Sequence, residues 1–191
     1  MRTIVPPNAR LIPNDAEKVF AGKIFDVYQW QQTLFDGSTS TFEMIRRPDT
    51  VQTICIKDDK LVILKQLQPN QPHPSYDIPS GRHDQDHETE LEAAKRETLE
   101  ETGMTFSTWK LLDAFQLTSK LDWIIYTFIA YDFLDEQPQR LDAGEQIEVT
   151  LMSLDEVKRL SQTPESRTLP AKILKNVSSI DDLKNLPAYQ I

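Results

Sequence analysis

Three features of this sequence predict an α+β fold, with a mixed β-sheet flanked by helices and preceded by a β-rich appendage. Strand-like segments lie on both sides of one strongly helical stretch, Glu88 to Thr102. Strands and helices mix without the regular alternation that builds an all-parallel sheet. The length of 191 residues is about 1.3 times a typical domain of ~150, which fits one core domain plus an addition. The division expected from this is residues 1–47 as a β-rich segment, 48–163 as the core domain and 164–191 as a helical tail.

The appendage is read from Val19, Phe20, Ile24, Phe25, Val27, Tyr28 and Trp30, then Leu34, Phe35, Phe42 and Met44, with Asp36-Gly37 as a hairpin turn. Strands follow at Val51 to Ile56 and Lys60 to Leu67, split by the polar turn Lys57-Asp58-Asp59. A long proline-bearing loop, Gln68 to His87, comes next, and its short insert Tyr76-Asp77-Ile78 can pair as a strand. Glu88 to Thr102 lacks Gly and Pro, is rich in Ala, Glu, Lys and Leu, and stops at Gly103, a natural left-handed terminator. Strands are expected again at Trp109 to Leu117, Trp123 to Tyr131 and Gln146 to Met152. Ser153 caps a short helix, Leu154 to Leu160, and the tail adds one or two more.

Composition narrows the function. With 39% hydrophobic and 27% charged residues the chain is neither collagen-like, disulfide-stapled nor disordered. Thirty acidic against 21 basic residues leave a net charge of -9, and no basic patch offsets it, so a nucleic-acid partner is excluded. An acidic protein still takes a polyanionic substrate when divalent cations are held where the phosphates sit. Cys55 stands alone in an apolar run, which predicts a buried, inert thiol. Met1 to Asn14 carries three prolines and no apolar core of a signal peptide, and Trp123 to Tyr131 is too short to span a bilayer. A cytoplasmic protein without membrane contact is expected.

The helix carries an anomaly. On a wheel of about 100° per residue, Glu97, Glu100 and Glu101 share one arc. Like charges at i+3 and i+4 cost a few tenths of a kcal/mol each, and anions in the last turns oppose the helix dipole. An isolated Glu-Glu pair reads as a solvated acidic face. A bound divalent cation, coordinated by oxygen ligands, reverses the sign of the penalty. Ala93 falls on the same arc, where a small side chain is expected to leave room for ions.

The wider pattern decides between these. Gly81, Glu88, Arg96-Glu97, Glu100-Glu101 and Gly103-Met104 closely resemble the Nudix box, G-x5-E-x7-R-E-U-x-E-E-x-G-U, where U is a bulky apolar residue. Six such fixed positions match by chance on the order of once in ten million windows. Two departures stand out: six residues separate Gly81 from Glu88, and Thr98 replaces the aliphatic residue. The resemblance implies a Nudix-like α/β/α sandwich whose loop–helix–loop binds Mg²⁺ or Mn²⁺. It makes Glu97 and Glu101 the main metal ligands and Glu100 a ligand or base. Arg96 with Glu88 orients them, and Ser80 offers a carbonyl ligand that the longer loop puts in question.

Beyond the box, Phe25 to Trp30, Phe42 to Arg47, Val62 to Gln66, Tyr76 to Gly81 and Gly144 to Val149 are similar to ADP-ribose pyrophosphatases and related nucleoside diphosphate sugar hydrolases. By that resemblance Glu145 occupies a metal-ligand position. The base two residues earlier is replaced by Ala143, so either Asp142 substitutes, or Glu100 or Glu145 is the base. Phe25 and Tyr28 either pack as core or stack a nucleobase, Arg46 and Arg47 are either surface residues or hold a diphosphate across a dimer interface, and Arg82 is a candidate to hold the substrate. Gln68, Asp77 and Leu117-Thr118-Ser119 depart from that group's pattern, which leaves the base and sugar open. His73, His83 and His87 lack a cysteine partner for zinc and are expected to be solvated or substrate-facing. The implied activity is Mg²⁺-dependent cleavage of a nucleoside diphosphate sugar to a nucleoside monophosphate and a sugar phosphate, in a homodimer. The alternatives are a Nudix hydrolase of dinucleoside polyphosphates or coenzyme A derivatives, or a non-catalytic nucleotide-sugar sensor.

Overall fold

Residues 2–166 and 169–190 are described by a computed structural model. Met1, Arg167, Thr168 and Ile191, which the expected terminal segments include, lie outside the described residues. Strands β1 (Glu17–Ala21), β2 (Asp26–Thr33) and β3 (Thr39–Arg46) form an antiparallel meander. The core strands are β4 (Asp49–Lys57), β5 (Lys60–Leu67), β8 (Met104–Gln116), β10 (Ile124–Glu136) and β11 (Gln146–Met152). They lie in the order β11-β5-β4-β10-β8, with β4 and β10 parallel and the other neighbours antiparallel. Two short strands, β6 (Ser75–Asp77) and β7 (Ser80–His83), pair with β5 and β4.

Helix α1 (Glu90–Thr102) covers one face of this sheet, where Ala93 and Ala94 pack on Val51, Ala114, Ile124, Tyr126 and Phe128. Helices α2 (Leu154–Leu160), α3 (Ala171–Leu174) and α4 (Ile180–Lys184) cover the other, closing a core around Ile54, Ile63, Ile129, Leu174 and Leu183. Burial is nearly continuous along β4 and the first half of β10, as a sheet covered on both faces requires, with successive side chains pointing to alternate layers. The α/β/α sandwich of an α+β protein is therefore present. No helix among the described residues is long and apolar enough to cross a membrane.

Several expectations are corrected. The helix starts at Glu90, not Glu88, because Thr89-Glu90-Leu91-Glu92 is a capping box: Thr89 Oγ1 accepts from the Glu92 N–H and Glu92 returns a carboxylate to Thr89. The loop to His87 contains β7, whose polar Ser-Gly-Arg-His sequence has no strand periodicity but pairs residue by residue with Asp49 to Gln52. Strand β8 begins earlier than its apolar run and β10 ends later, because Met104 to Phe106 pair with Phe133 to Glu136 and extend the ribbon past the apolar residues. Ala93 is fully buried in the core under α1 and leaves no room for ions.

The meander is joined to the core by β9 (Leu121–Asp122), which pairs in parallel with Ile45 and Arg46 of β3. At that junction Asp122, with no exposed side-chain surface, accepts from Arg2 at 2.6 Å and from Arg46 at 2.7 Å, while Arg2 also binds Asp49. Glu90, 1% exposed, accepts from the Thr3 and Ile4 N–H groups at 2.6 and 3.1 Å, and Tyr126 donates to the Ile4 carbonyl. The amino-terminal strap thus ties both sheets and α1 together.

Burial by itself raises the Asp122 carboxyl, but hydrogen bonds and charges from Arg46 and Arg2 outweigh it and hold the group below the ordinary carboxylate range. A lowered folded-state value means stability that is present above the unfolded value near 3.8 and is lost as pH falls through the folded one. Asp122→Asn should destabilise the protein by about 3 kcal/mol in urea denaturation at pH 7, since it takes the buried carboxylate from Arg46 and leaves Arg2 with Asp49 alone. The gap between wild type and variant should narrow as the pH is lowered through the acid range; a gap independent of pH would contradict the assignment.

Candidate active site

Glycine makes the site possible. Gly81 lies on β7 opposite Val51, on the face covered by α1. A Cβ added there would lie 1.9 to 2.2 Å from the Glu97 carboxylate, so only glycine lets that carboxylate reach the strand. The neighbouring Ser80 N–H donates to Glu101 Oε2 at 2.7 Å. The residue added to the spacing between Gly81 and Glu88 is absorbed by a turn at Asp86-His87, with His87 left-handed at φ 65°. This keeps Ser80 and Gly81 against the helix.

Arg96 then organises the carboxylates. Its Nε and Nη2 donate to the two oxygens of Glu88 at 2.8 and 3.0 Å, a bidentate pair. Its Nη1 donates to Glu97 at 2.7 Å and reaches Glu100 at 3.3 Å, and Nη2 also donates to the Arg82 carbonyl at 3.0 Å. These partners, Glu88 first, keep the guanidinium protonated more firmly than usual. Gly103 ends the helix with φ 74°, and a Cβ there would meet the Gln137 carbonyl at 1.8 Å.

The chain after β10 docks on this helix end. Gln137 N–H donates to the Gly103 carbonyl and Arg140 N–H to the Glu100 carbonyl, both at 2.9 Å, while the Gln139 side chain donates to the Glu101 carbonyl. These bonds satisfy carbonyls that a helix end otherwise leaves open, in a last turn with no basic residue. They also bring Glu145, whose carboxylate accepts from the Asp142 N–H at 3.0 Å, to the acidic face.

The result is a polar cavity of about 300 Å³. Ser80, Glu97, Glu100, Glu101, Glu145 and Arg96 line it, together with Arg82. Glu88 stands behind Arg96, as an orienting group would. Phe25, Tyr28, Arg46 and Arg47 are not in its lining. Arg46 lies over the Tyr28 ring at 4.8 Å and Arg47 over Trp123 at 4.2 Å, at the junction of the two sheets. Phe25 is exposed, and His83 Nε2 meets the Glu88 carbonyl at 2.7 Å. Sequence reasoning missed Arg140, which lines the cavity and has no ion-pair partner within 4.0 Å among the described residues. Its place follows from the docking of residues 137 to 140, for which the sequence has no motif.

Burial raises the Glu101 carboxyl well above its ordinary value, helped by the charges of Glu97, Glu145 and Asp77 and opposed by the Ser80 N–H. Glu97 is raised for the same first reason, against the pull of Arg96. Among the described residues no three His, Cys, Asp or Glu side chains are gathered closely enough to form a ready-made metal cage. The chemistry of the donor set nevertheless suits a hard divalent cation: carboxylate oxygens converge on a polar cavity, and Glu101 is buried among like charges, its carboxylate accepting from the Ser80 N–H.

Comparisons with known proteins agree with this geometry. The NUDIX domain matches residues 46–173, well over half of the chain. The ADP-ribose pyrophosphatase of Bacillus subtilis (strain 168) is 29% identical over 152 residues, covering 78% of this chain and 82% of that protein. The methanol dehydrogenase activator of Bacillus methanolicus is 27% identical over 143 residues, covering 73% and 77%. A solved ADP compounds hydrolase superposes with a TM-score of 0.68 at 20% identity, over 87% of this chain and 92% of that one. A NUDIX hydrolase from Nitrosomonas europaea gives 0.58 at 24% identity, over 75% and 93%. At these identities the two structures establish the fold. With the box residues folded around one cavity and the domain matched across most of the sandwich, the chain belongs to the NUDIX family, as a hydrolase of the Nudix pyrophosphatase type.

Proposed function

We propose that this protein hydrolyses the diphosphate of a nucleoside diphosphate sugar, of which ADP-ribose is the reference, to a nucleoside monophosphate and a sugar phosphate, with Mg²⁺ as cofactor. The observation that carries this is the convergence of Glu97, Glu100, Glu101 and Glu145 on one polar cavity that Arg140 also lines. The similarity to an ADP-ribose pyrophosphatase supports the substrate class.

Glu97 and Glu101, with Glu100, Glu145 and the Ser80 carbonyl, are the groups that would hold the cation. When bound, Mg²⁺ or Mn²⁺ neutralises the diphosphate and acidifies a water. The remaining work falls to the chain. Arg96 fixes Glu97 against Gly81, and the Ser80 N–H fixes Glu101, so both carboxylates are oriented before substrate arrives. Arg140 and Arg82 supply positive charge to the phosphates. Glu145 is the proton acceptor, because Glu100 shares Arg96 whereas Glu145 has no cationic partner within 4.0 Å among the described residues. A water oxygen bonds to one phosphorus, the phosphoanhydride bond breaks, and the departing phosphate takes the electron pair.

A homodimer and a cytoplasmic setting belong to the same reading. The meander leaves Val19, Phe20, Phe25 and Ile45 exposed, an apolar surface of the kind that self-association covers.

Glu101→Gln should lower kcat for ADP-ribose about 100-fold or more while leaving the unfolding temperature near that of wild type; full turnover in a folded variant contradicts the proposal. Gly81→Ala is the subtler test. Its backbone is not in the left-handed region, so alanine is tolerated locally and the displaced group is Glu97. A loss of about 10- to 100-fold in kcat is expected, with secondary structure unchanged by circular dichroism. An unaffected kcat would show that Glu97 has no role.

A further inference from the structure

Six residues separate Gly81 from Glu88, and five of them, Arg82, Asp84, Gln85, Asp86 and His87, are exposed. The sixth, His83, is 8% exposed. It is the last residue of β7, two positions from Gly81 and so on the same face of the strand, and it pairs with Asp49 of β4. It is neither solvated nor in the lining of the acidic cavity, which corrects the expectation for it. The reaction proposed above leaves it without a role, yet an imidazole withdrawn from water needs a hydrogen-bond partner.

That partner is the backbone of Glu88, whose carbonyl oxygen lies 2.7 Å from His83 Nε2. A carbonyl only accepts, so the nitrogen facing it carries a proton, in the neutral ring and in the cation alike. The bond closes the loop from its strand end to its helix end. Arg96 closes the same loop from the other side: its Nη2 donates to the Arg82 carbonyl and to Glu88 Oε2, both at 3.0 Å. Glu88 is thus held twice, by its main chain through His83 and by its side chain through Arg96. The left-handed turn at His87 absorbs the added residue, but a turn alone does not fix where an exposed polar loop returns. The bidentate pair requires both Glu88 oxygens to face Nε and Nη2 of Arg96, and from that plane Nη1 reaches Glu97 at 2.7 Å.

We infer that His83 is a positioning residue of the hydrolase: its imidazole sets the Glu88 backbone, Glu88 sets the plane of Arg96, and Arg96 sets Glu97. This rests on the reading above that Glu97 holds the cation, and it adds a buried residue of the longer loop to the groups that orient it.

The test compares Mn²⁺ affinity by electron paramagnetic resonance, and kcat and KM for ADP-ribose, in wild type, His83→Leu and His83→Gln. Leucine keeps the buried volume without a donor, whereas the glutamine amide reaches as far as Nε2 and donates. His83→Leu should lose about 5- to 10-fold in Mn²⁺ affinity and in kcat, with KM little changed, and His83→Gln should restore most of both. His83→Asn, too short to reach the carbonyl, should show the same loss and serves if the leucine variant fails to fold. In a Glu88→Gln background His83→Leu should cost nothing further, because the contact through which it acts is already cut. Nitrogen NMR of the metal-free wild type should show the His83 proton on Nε2; an unprotonated Nε2 overturns the inference. So do undiminished Mn²⁺ affinity and kcat in a folded leucine or asparagine variant, equal losses in the leucine and glutamine variants, and a loss that adds in full to that of Glu88→Gln. Mn²⁺ affinity that depends on His83 in a protein that cleaves no nucleoside diphosphate sugar would sustain the positioning role and overturn the reaction.

Discussion

A single guanidinium holds the chemistry in place. Arg96 donates to Glu88, Glu97, Glu100 and the Arg82 carbonyl, so one side chain joins strand, loop and helix. Without it the acidic face of α1 would repel itself, and β7 would keep the Ser80 N–H to Glu101 but lose the bond from Arg96 to the Arg82 carbonyl. The planar fork of arginine matters here, because the bidentate bond to Glu88 sets the plane from which Nη1 reaches Glu97. Around this point the remaining constraints are steric: Gly81 admits Glu97 and Gly103 admits the chain that carries Arg140 and Glu145.

A second set of buried charges does comparable work near the start of α1. Arg2, Asp49, Asp122 and Arg46 join the amino-terminal strap to both sheets, and Glu90 collects the strap's N–H groups at the start of α1. Such networks contribute less to net stability than to fixing one arrangement, since removing any partner strands the others. The same helix is thus fixed at its first turn by the strap and at its last by residues 137 to 140.

What the sequence made legible was what rests on local rules. The helix stop at Gly103, the turn at Asp58-Asp59 with both residues left-handed, and the Ser153 cap all follow from the conformations those residues favour. The box spacing marked the glutamates and Arg96, and Cys55 is buried as its apolar surroundings suggested. What escaped depends on pairing between distant segments. Strand β7 is defined by Asp49 to Gln52, not by its own composition, and β9 joins the meander through two residues. The expectation about Ala93 failed because a helical wheel orders directions but does not say where the core boundary cuts them, and here the core claims Ala93 while Gly81 makes the space. Arg140 was invisible for the same reason.

Whether these carboxylates hold a divalent cation is measured most directly by a titration with Mn²⁺ followed by electron paramagnetic resonance, wild type beside a Glu97→Gln, Glu101→Gln double variant. Saturable Mn²⁺ binding is expected in the wild type, competed by Mg²⁺, with at least a 10-fold loss of affinity in the variant. Equal Mn²⁺ binding by the two folded proteins would contradict it.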